Sequence, residues 1–222
     1  MKESLIQRLV RIKLLLSNWA LLAVIAAYLF VWPLFSSGVE ALVYNIFLSL
    51  VIVLSIFAVA EERSTRFNIH LLIAIGAVWL IRLVDSLVLI GLLRLVIVVF
   101  FFSVVVKFIK LVYKRKVIDK YVVIEAINGY LLLGIGFSLL IYISRLYYPE
   151  AFNFDLPTNN SISYDPIYFS FVTLTTLGYG DKLPLGDVAK AISLLIALAG
   201  QFYLVTVMSF IVGKMLSKKD NK

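Results

Sequence analysis

Long apolar runs separated by short polar links make up most of the chain. Residues 14–35 and 41–60 contain no charged side chain, and each has about the 20 apolar residues that a membrane-spanning helix requires. The stretch 69–112 is about twice as long as the ~30 Å hydrocarbon layer at about 1.5 Å per residue, which predicts two helices with a turn between residues 82 and 91. Two further spans are predicted over 121–143 and 191–213. The pattern therefore predicts six membrane-spanning helices.

The composition excludes several classes of protein. Hydrophobic residues make up 62% of the chain and charged residues 15%, against about 25% charged residues in a soluble domain. A soluble globule of this size does not bury so much apolar surface, and a disordered chain is far more polar. The chain has no cysteine and one histidine, which excludes disulfides, a cysteine nucleophile and a multi-histidine metal site within one chain.

The net charge of +8 is explained by membrane topology rather than by nucleic acid. Basic residues stand at the ends of the apolar runs, and 16 of the 21 lysines and arginines fall on the side of both termini. By the positive-inside rule this side is cytoplasmic. The first apolar run is longer than the ~7–15 residues of a signal-peptide core, so we interpret it as a retained anchor. We expect a multi-pass protein of the cell membrane with both termini in the cytoplasm.

A basic cluster is predicted to lie at the cytoplasmic membrane surface. It is the group of six residues Lys107, Lys110, Lys114, Arg115, Lys116 and Lys120. It either binds anionic lipid head groups, at about 1 kcal/mol per basic residue, or serves as an ordinary topology signal.

The region between the last two spans contains the most informative residues. Asp165 and Pro166 predict a helix start, with Asp165 as the N-cap and Pro166 in the first turn. The apolar segment that follows is too short to cross a membrane and is a candidate re-entrant element. It ends in the sequence Thr-Leu-Thr-Thr-Leu-Gly-Tyr-Gly-Asp over 173–181.

The chemistry of this segment suits a cation. Gly178 and Gly180 permit backbone conformations that a side chain disfavours. Their alternation with Leu177 and Tyr179 favours carbonyl groups that point the same way. Such irregular backbone is tolerated at membrane depth only where it is buried or lines a cavity. Carbonyl oxygens and the Thr176 hydroxyl suit a dehydrated monovalent cation. One strand does not surround an ion, so several copies must meet on an axis.

These residues resemble the potassium-channel signature T-x-x-T-x-G-Y-G-D. The resemblance implies a homotetramer in which 176–180 form the selectivity filter. By that resemblance, K⁺ sites lie at Thr176, Leu177, Gly178 and Tyr179, with Gly180 completing the filter. It also implies that Asp181 lies at the outer mouth and that three residues support the filter, Tyr168, Phe169 and Thr175.

The resemblance also implies an all-α layout in two domains. Residues 1–116 take the position of a four-helix voltage-sensor-like domain, and 117–222 that of the pore domain. Within the pore domain it assigns an outer helix 121–143, a pore helix 166–175, the filter 176–180 and an inner helix 188–213. By the same alignment Gly200 is the gating hinge, and the residues of the cavity or gate are Gln201, Leu204 and Met208.

The fourth predicted span is a poor voltage sensor. A sensor requires basic residues at every third position, because each charge moved through 100 mV contributes about 2.3 kcal/mol. Here Arg94 is followed in step by Ile97, Phe100, Ser103 and Val106. We therefore expect little or no voltage dependence. We also expect no enzyme activity, no organic cofactor, no nucleic-acid partner and no soluble regulatory domain in this chain.

Two polar residues of the fifth span need partners in an apolar environment. They are Glu125 and Asn128. Either they serve gating by hydrogen-bonding the linker or the pore-lining helix, or they hold neighbouring helices together.

Two other functions remain open. The family most often has valine or isoleucine at the position of Leu177, which leaves a weakly selective monovalent cation channel as one alternative. A secondary transporter is the other, although the sequence shows no pair of broken helices in two matching halves. A membrane enzyme is disfavoured, because no nucleophile–base pair is evident within the spans.

Overall fold

The computed structural model describes residues 5–35, 39–59, 65–115, 120–154 and 163–219. These residues contain seven α-helices. The helices are α1 (Leu5–Phe30), α2 (Glu40–Ala58), α3 (Thr65–Leu80), α4 (Leu87–Lys114), α5 (Lys120–Tyr147), α6 (Asp165–Leu174) and α7 (Asp187–Lys219).

Five helical segments are long and apolar enough to cross a membrane. They are Leu14–Leu34, Glu40–Ala58, Leu87–Lys114, Tyr121–Tyr147 and Asp187–Leu216. The prediction of a helical membrane protein is thereby confirmed. The remaining predicted span corresponds to α3, whose apolar segment Asn68–Leu83 is shorter than the other five.

The break inside the long apolar stretch lies close to the predicted turn. Helix α3 ends at Leu80, one 3-10 turn covers Ile81–Leu83, and α4 begins at Leu87. The predicted domain boundary at residues 116 and 117, with Lys116 of the basic cluster, lies outside the described residues.

Helices α1 and α4 pack against α5, while α2 packs mainly against α1 and α3 mainly against α4. The most extensive helix pair is α4 with α5, followed by α1 with α2. Aromatic side chains fill the α4–α5 interface, where the rings of Phe102 and Phe137 meet edge to face at 5.1 Å. Because lipid tails are as apolar as these side chains, close packing rather than water exclusion stabilises such contacts.

A buried polar contact links α1, α2 and α5. The Asn128 Nδ2 donates to both the main-chain oxygen (3.0 Å) and the Oδ1 (3.1 Å) of Asn18. The Asn18 Nδ2 in turn donates to the carbonyl oxygens of Leu14 (3.0 Å) and Ala58 (3.5 Å). Asn128 therefore joins α5 to α1 through its Nδ2 group, which supplies the buried amide with partners away from water.

Helix α6 has 10 residues and is too short to cross a membrane. It packs against both α5 and α7, and Ser170 Oγ donates to Gly134 O of α5 at 2.8 Å. Pro166 lies in its first turn, as predicted.

The prediction that Asp165 caps this helix is wrong. The N-cap position is Tyr164, and no side chain caps the helix there. Asp165 is instead the first residue of the helix, and its carboxylate accepts a hydrogen bond from Lys182 Nζ at 3.1 Å. The ion pair holds the carboxylate away from the amide groups that a cap would bind.

Candidate functional site

Residues 176–180 follow α6 directly and have an unusual backbone. The φ angle is +61° at Thr176, +56° at Gly178 and +82° at Gly180. These positive angles lie in the left-handed region of backbone conformation, whereas Leu177 and Tyr179, which alternate with them, do not have positive φ angles. Among the described residues, Thr176 is the sole non-glycine residue with a positive φ angle. Alternating handedness turns successive N–H groups to one side of the chain, which leaves the carbonyl groups on the other side.

The hydrogen bonds of this segment agree with that geometry. The N–H of Thr176 donates to Thr173 O at 3.0 Å, and those of Leu177 and Gly178 donate to Val172 O at 3.0 and 3.3 Å. These three N–H groups therefore face the end of α6. In the part of the chain that the structure describes, no hydrogen bond uses the carbonyl oxygens of 176–180. These oxygens are available to a cation, because a carbonyl group accepts and does not donate.

The predicted site residues are exposed in the single chain. Leu177 retains 60% of its accessible surface and Tyr179 retains 67%. On α7, Gln201, Leu204 and Met208 are exposed as well. In a membrane protein, an exposed apolar surface of this kind contacts either lipid or another protein chain.

The end of α6 is held from both neighbouring helices. Tyr130 OH of α5 donates to Leu174 O at 3.0 Å. A Cβ added to Gly200 of α7 would lie 2.4 Å from the same oxygen, so the glycine is required for this close approach. Thr175, which is exposed, turns its hydroxyl back to Phe171 O at 2.7 Å.

The C-terminal end of the segment 176–181 contacts the first turns of α6. Desolvation, the hydrogen bond to the Asp181 carboxylate and the charge of that carboxylate raise the pKa of Tyr168. Phe169 is buried and packs edge to face on Phe152 at 5.2 Å. Tyr168 and Phe169 thus have different contacts: Tyr168 interacts with Asp181, while Phe169 packs against the loop that follows α5.

Sequence reasoning missed two residues of this site. Tyr130 has a hydroxyl within an apolar span, and such a group needs a hydrogen-bond partner, so its presence was a usable signal. Asn153 lies in a polar loop and carries no local signal. Its side chain contacts Asp181, 28 residues further along the chain.

The single basic residue in the N-terminal half of α4, Arg94, contacts α5. The Arg94 guanidinium carbon lies 3.6 Å from the centroid of the Tyr142 ring. Its Nη1 is buried and has no hydrogen-bond partner among the described residues. The cation is therefore held by an aromatic face rather than by a carboxylate.

The C-terminal ends of α4 and α7 meet the N-terminal end of α5 around another charged pair. Glu125 is buried and accepts hydrogen bonds from Arg115 Nη2 at 2.6 Å and Nε at 3.3 Å. Lys214 of α7 donates to the carbonyl oxygens of Tyr113, at 3.3 Å, and of Arg115. Glu125 of α5 thus forms an ion pair with Arg115, the residue that follows the last turn of α4.

The fold and this geometry define a helical membrane protein with a row of unused carbonyl oxygens beside a short helix. Residues 129–217 match the family model described as "Ion channel". No curated protein and no solved structure matches the chain significantly. The matched segment covers most of α5, all of α6, residues 176–180 and nearly all of α7. This part of the chain is similar to an ion-channel domain, in agreement with the resemblance to potassium channels.

Proposed function

We propose that four copies of this chain form a passive, K⁺-selective channel of the cell membrane. The observation that carries the proposal is the backbone of 176–180. Three positive φ angles alternate with ordinary ones, the N–H groups face α6, and the carbonyl oxygens remain unused.

In this proposal the permeant ion exchanges its water for protein oxygen. The Thr176 hydroxyl and the carbonyl oxygens of Thr176, Leu177, Gly178 and Tyr179 replace the hydration shell of K⁺, with Gly180 ending the row. Asp181 attracts cations to the outer mouth. Helix α6 points its carbonyl end toward the start of this row, where its partial negative charge favours a cation.

The exposed surface of the single chain supports a homotetramer. One row of oxygens contacts an ion from one side, and rings of carbonyls from four subunits form the filters of this channel class. Leu177, Tyr179 and the apolar face of α7 are exposed in the single chain and would be covered by neighbouring copies. In such an assembly Gln201, Leu204 and Met208 line the cavity or the gate, with Gly200 next to the filter.

The contacts of α4 support weak or absent voltage dependence. Arg94 is the one basic residue of its central part, and it stacks on Tyr142 of α5. Displacing α4 would break this stacking together with the extensive α4–α5 packing. A single charge per subunit also couples too little energy to the membrane field, about 2.3 kcal/mol per 100 mV.

The basic residues support an orientation with both termini in the cytoplasm. Lys110 and Lys114 are exposed at the inner end of α4, where anionic head groups would meet them. Arg115 is instead engaged by Glu125, so it contributes less to such a lipid contact.

Ion flux measured in liposomes tests the proposal. We expect a K⁺ gradient to drive flux through the purified protein, a bi-ionic reversal potential that favours K⁺ over Na⁺, and the native mass of a tetramer. Gly178→Ala places a side chain at a φ of +56°, a conformation that disfavours L residues by roughly 1–2 kcal/mol, and should abolish selective flux. Gly213→Ala is the matched control, because a Cβ at Gly213 meets nothing within 4 Å.

Other outcomes of these measurements would favour the alternatives. Equal permeability to K⁺ and Na⁺ would indicate a weakly selective cation channel, for which Leu177 is the supporting observation. Saturable flux coupled to a second substrate would indicate a secondary transporter. A monomer or dimer with full selective flux would contradict the tetramer.

A further inference from the structure

The loop after α5 pairs with the segment that leaves the candidate filter. Phe152 and Pro184 form an antiparallel bridge. The N–H of Leu185 donates to Ala151 O at 2.8 Å, and the N–H of Asn153 donates to Leu183 O at 3.1 Å. Two segments that are about 30 residues apart in sequence are thus joined by main-chain hydrogen bonds.

The side chain of Asn153 adds two further hydrogen bonds at the same place. Its Nδ2 donates to Asp181 O at 3.0 Å, and its Oδ1 accepts from the N–H of Leu183 at 2.6 Å. One residue therefore holds three main-chain groups between positions 181 and 183. The first of these is the carbonyl group directly after Gly180, where the carbonyl row ends.

Asn153 lies between two anchors that fix its own position. The neighbouring side chains of Phe152 and Phe154 are both buried. Their rings lie 5.2 and 6.0 Å from the ring of Phe169 on α6. Although the carboxamide is exposed, its backbone is tied to the helix that also carries the start of the filter. A side chain supported in this way positions its partners with little loss of conformational entropy.

We propose that Asn153 is a positioning residue for the outer end of the filter. It does not contact the ion. It directs the Asp181 carbonyl outward and away from the row of carbonyl oxygens, and it restrains the peptide group between Asp181 and Lys182, directly after the end of that row. This inference rests on the proposed function, to which it adds a residue that maintains the geometry of the last ion site.

Two substitutions and one control test the proposal. Asn153→Ala removes both side-chain hydrogen bonds. Asn153→Asp preserves size and the acceptor for Leu183, but it replaces the donor to Asp181 O with a second oxygen. Glu150→Ala shortens an exposed side chain in the same loop. The measurements are the K⁺/Na⁺ reversal potential, the time course of the current at low external K⁺, and the thermal stability of the assembled protein.

We expect the preference for K⁺ over Na⁺ to fall about tenfold in Asn153→Ala, the order expected for losing two neutral hydrogen bonds. Asn153→Asp should lose at least as much, and both should show currents that decline at low external K⁺. Glu150→Ala should keep the reversal potential of the natural sequence.

Unchanged reversal potentials and time courses in the assembled fraction of either Asn153 variant would overturn the positioning role, even if yield or stability falls. If Asn153→Ala does not assemble, the isosteric Asn153→Asp decides. A natural sequence that conducts Na⁺ and K⁺ equally would instead overturn the proposed function itself, before any variant is compared.

Discussion

Replacing Gly200 by alanine tests whether this glycine serves close packing or bending of α7. The added Cβ would lie 2.4 Å from Leu174 O and 3.0 Å from Leu174 Cδ1. The oxygen belongs to the main chain at the end of α6 and also accepts the Tyr130 hydroxyl at 3.0 Å. Since Leu174 stands two residues before Thr176, any movement of this carbonyl displaces the start of the candidate filter.

The size of the effect follows from this distance. Ordinary van der Waals contact begins at 3.4 Å, so α7 and the end of α6 must separate by about 1 Å. Overpacking of this kind costs about 1–3 kcal/mol. Glycine to alanine in a helix otherwise stabilises by about 1 kcal/mol. Gly213 provides the matched reference, because it lies in the same helix and an added Cβ there meets nothing within 4 Å.

The difference between Gly200→Ala and Gly213→Ala therefore isolates the packing cost. Thermal or denaturant unfolding of the assembled protein in detergent should show Gly200→Ala less stable than Gly213→Ala by about 1–3 kcal/mol. Single-channel recording should show a lower conductance or a weaker K⁺ preference in Gly200→Ala. The reasoning is refuted if Gly200→Ala matches Gly213→Ala in stability and changes only the open probability, because that result is expected of a hinge.

Two further predictions concern charged residues. Glu125→Gln should destabilise the protein by about 1–3 kcal/mol, which is less than the cost of breaking a fully buried ion pair, because Arg115 keeps 28% of its side-chain surface exposed. Unfolding measurements check this value. The double variant with Arg115→Gln should recover part of the lost stability, whereas additive losses would contradict a role for the ion pair. Arg94→Gln should leave the current–voltage relation unchanged and should reduce stability by about 0.5–2 kcal/mol, because the contact with Tyr142 is lost. A marked change in voltage dependence would show that Arg94 moves in the membrane field.

The helices and the candidate filter were predictable because their signals are local. A membrane-spanning helix satisfies its own main-chain hydrogen bonds, so an apolar run of sufficient length is nearly enough to predict it. The run 41–60 corresponds to Glu40–Ala58, and the predicted pore helix 166–175 differs by one residue at each end from α6. The positive φ angles at Gly178 and Gly180 likewise follow from the lack of a side chain at these positions.

The partners of polar residues were less predictable. Asp165 seemed suited to cap α6, but Lys182, 17 residues away, binds its carboxylate. Asn128 was expected to need a partner, yet no local pattern identifies Asn18, 110 residues away. A local pattern describes what a side chain requires, whereas its partner depends on which helices lie side by side.

The sequence by itself therefore determined a helical membrane protein, the position of its long helices and a segment that resembles the potassium-channel signature. The tertiary structure alone decided that Gly200 meets the end of α6, that Arg94 stacks on α5 and that Asn153 holds the residues after the candidate filter. The physical reason is distance along the chain. Helix formation and glycine conformations depend on neighbouring residues, but these contacts join elements that are brought together only when the helices pack.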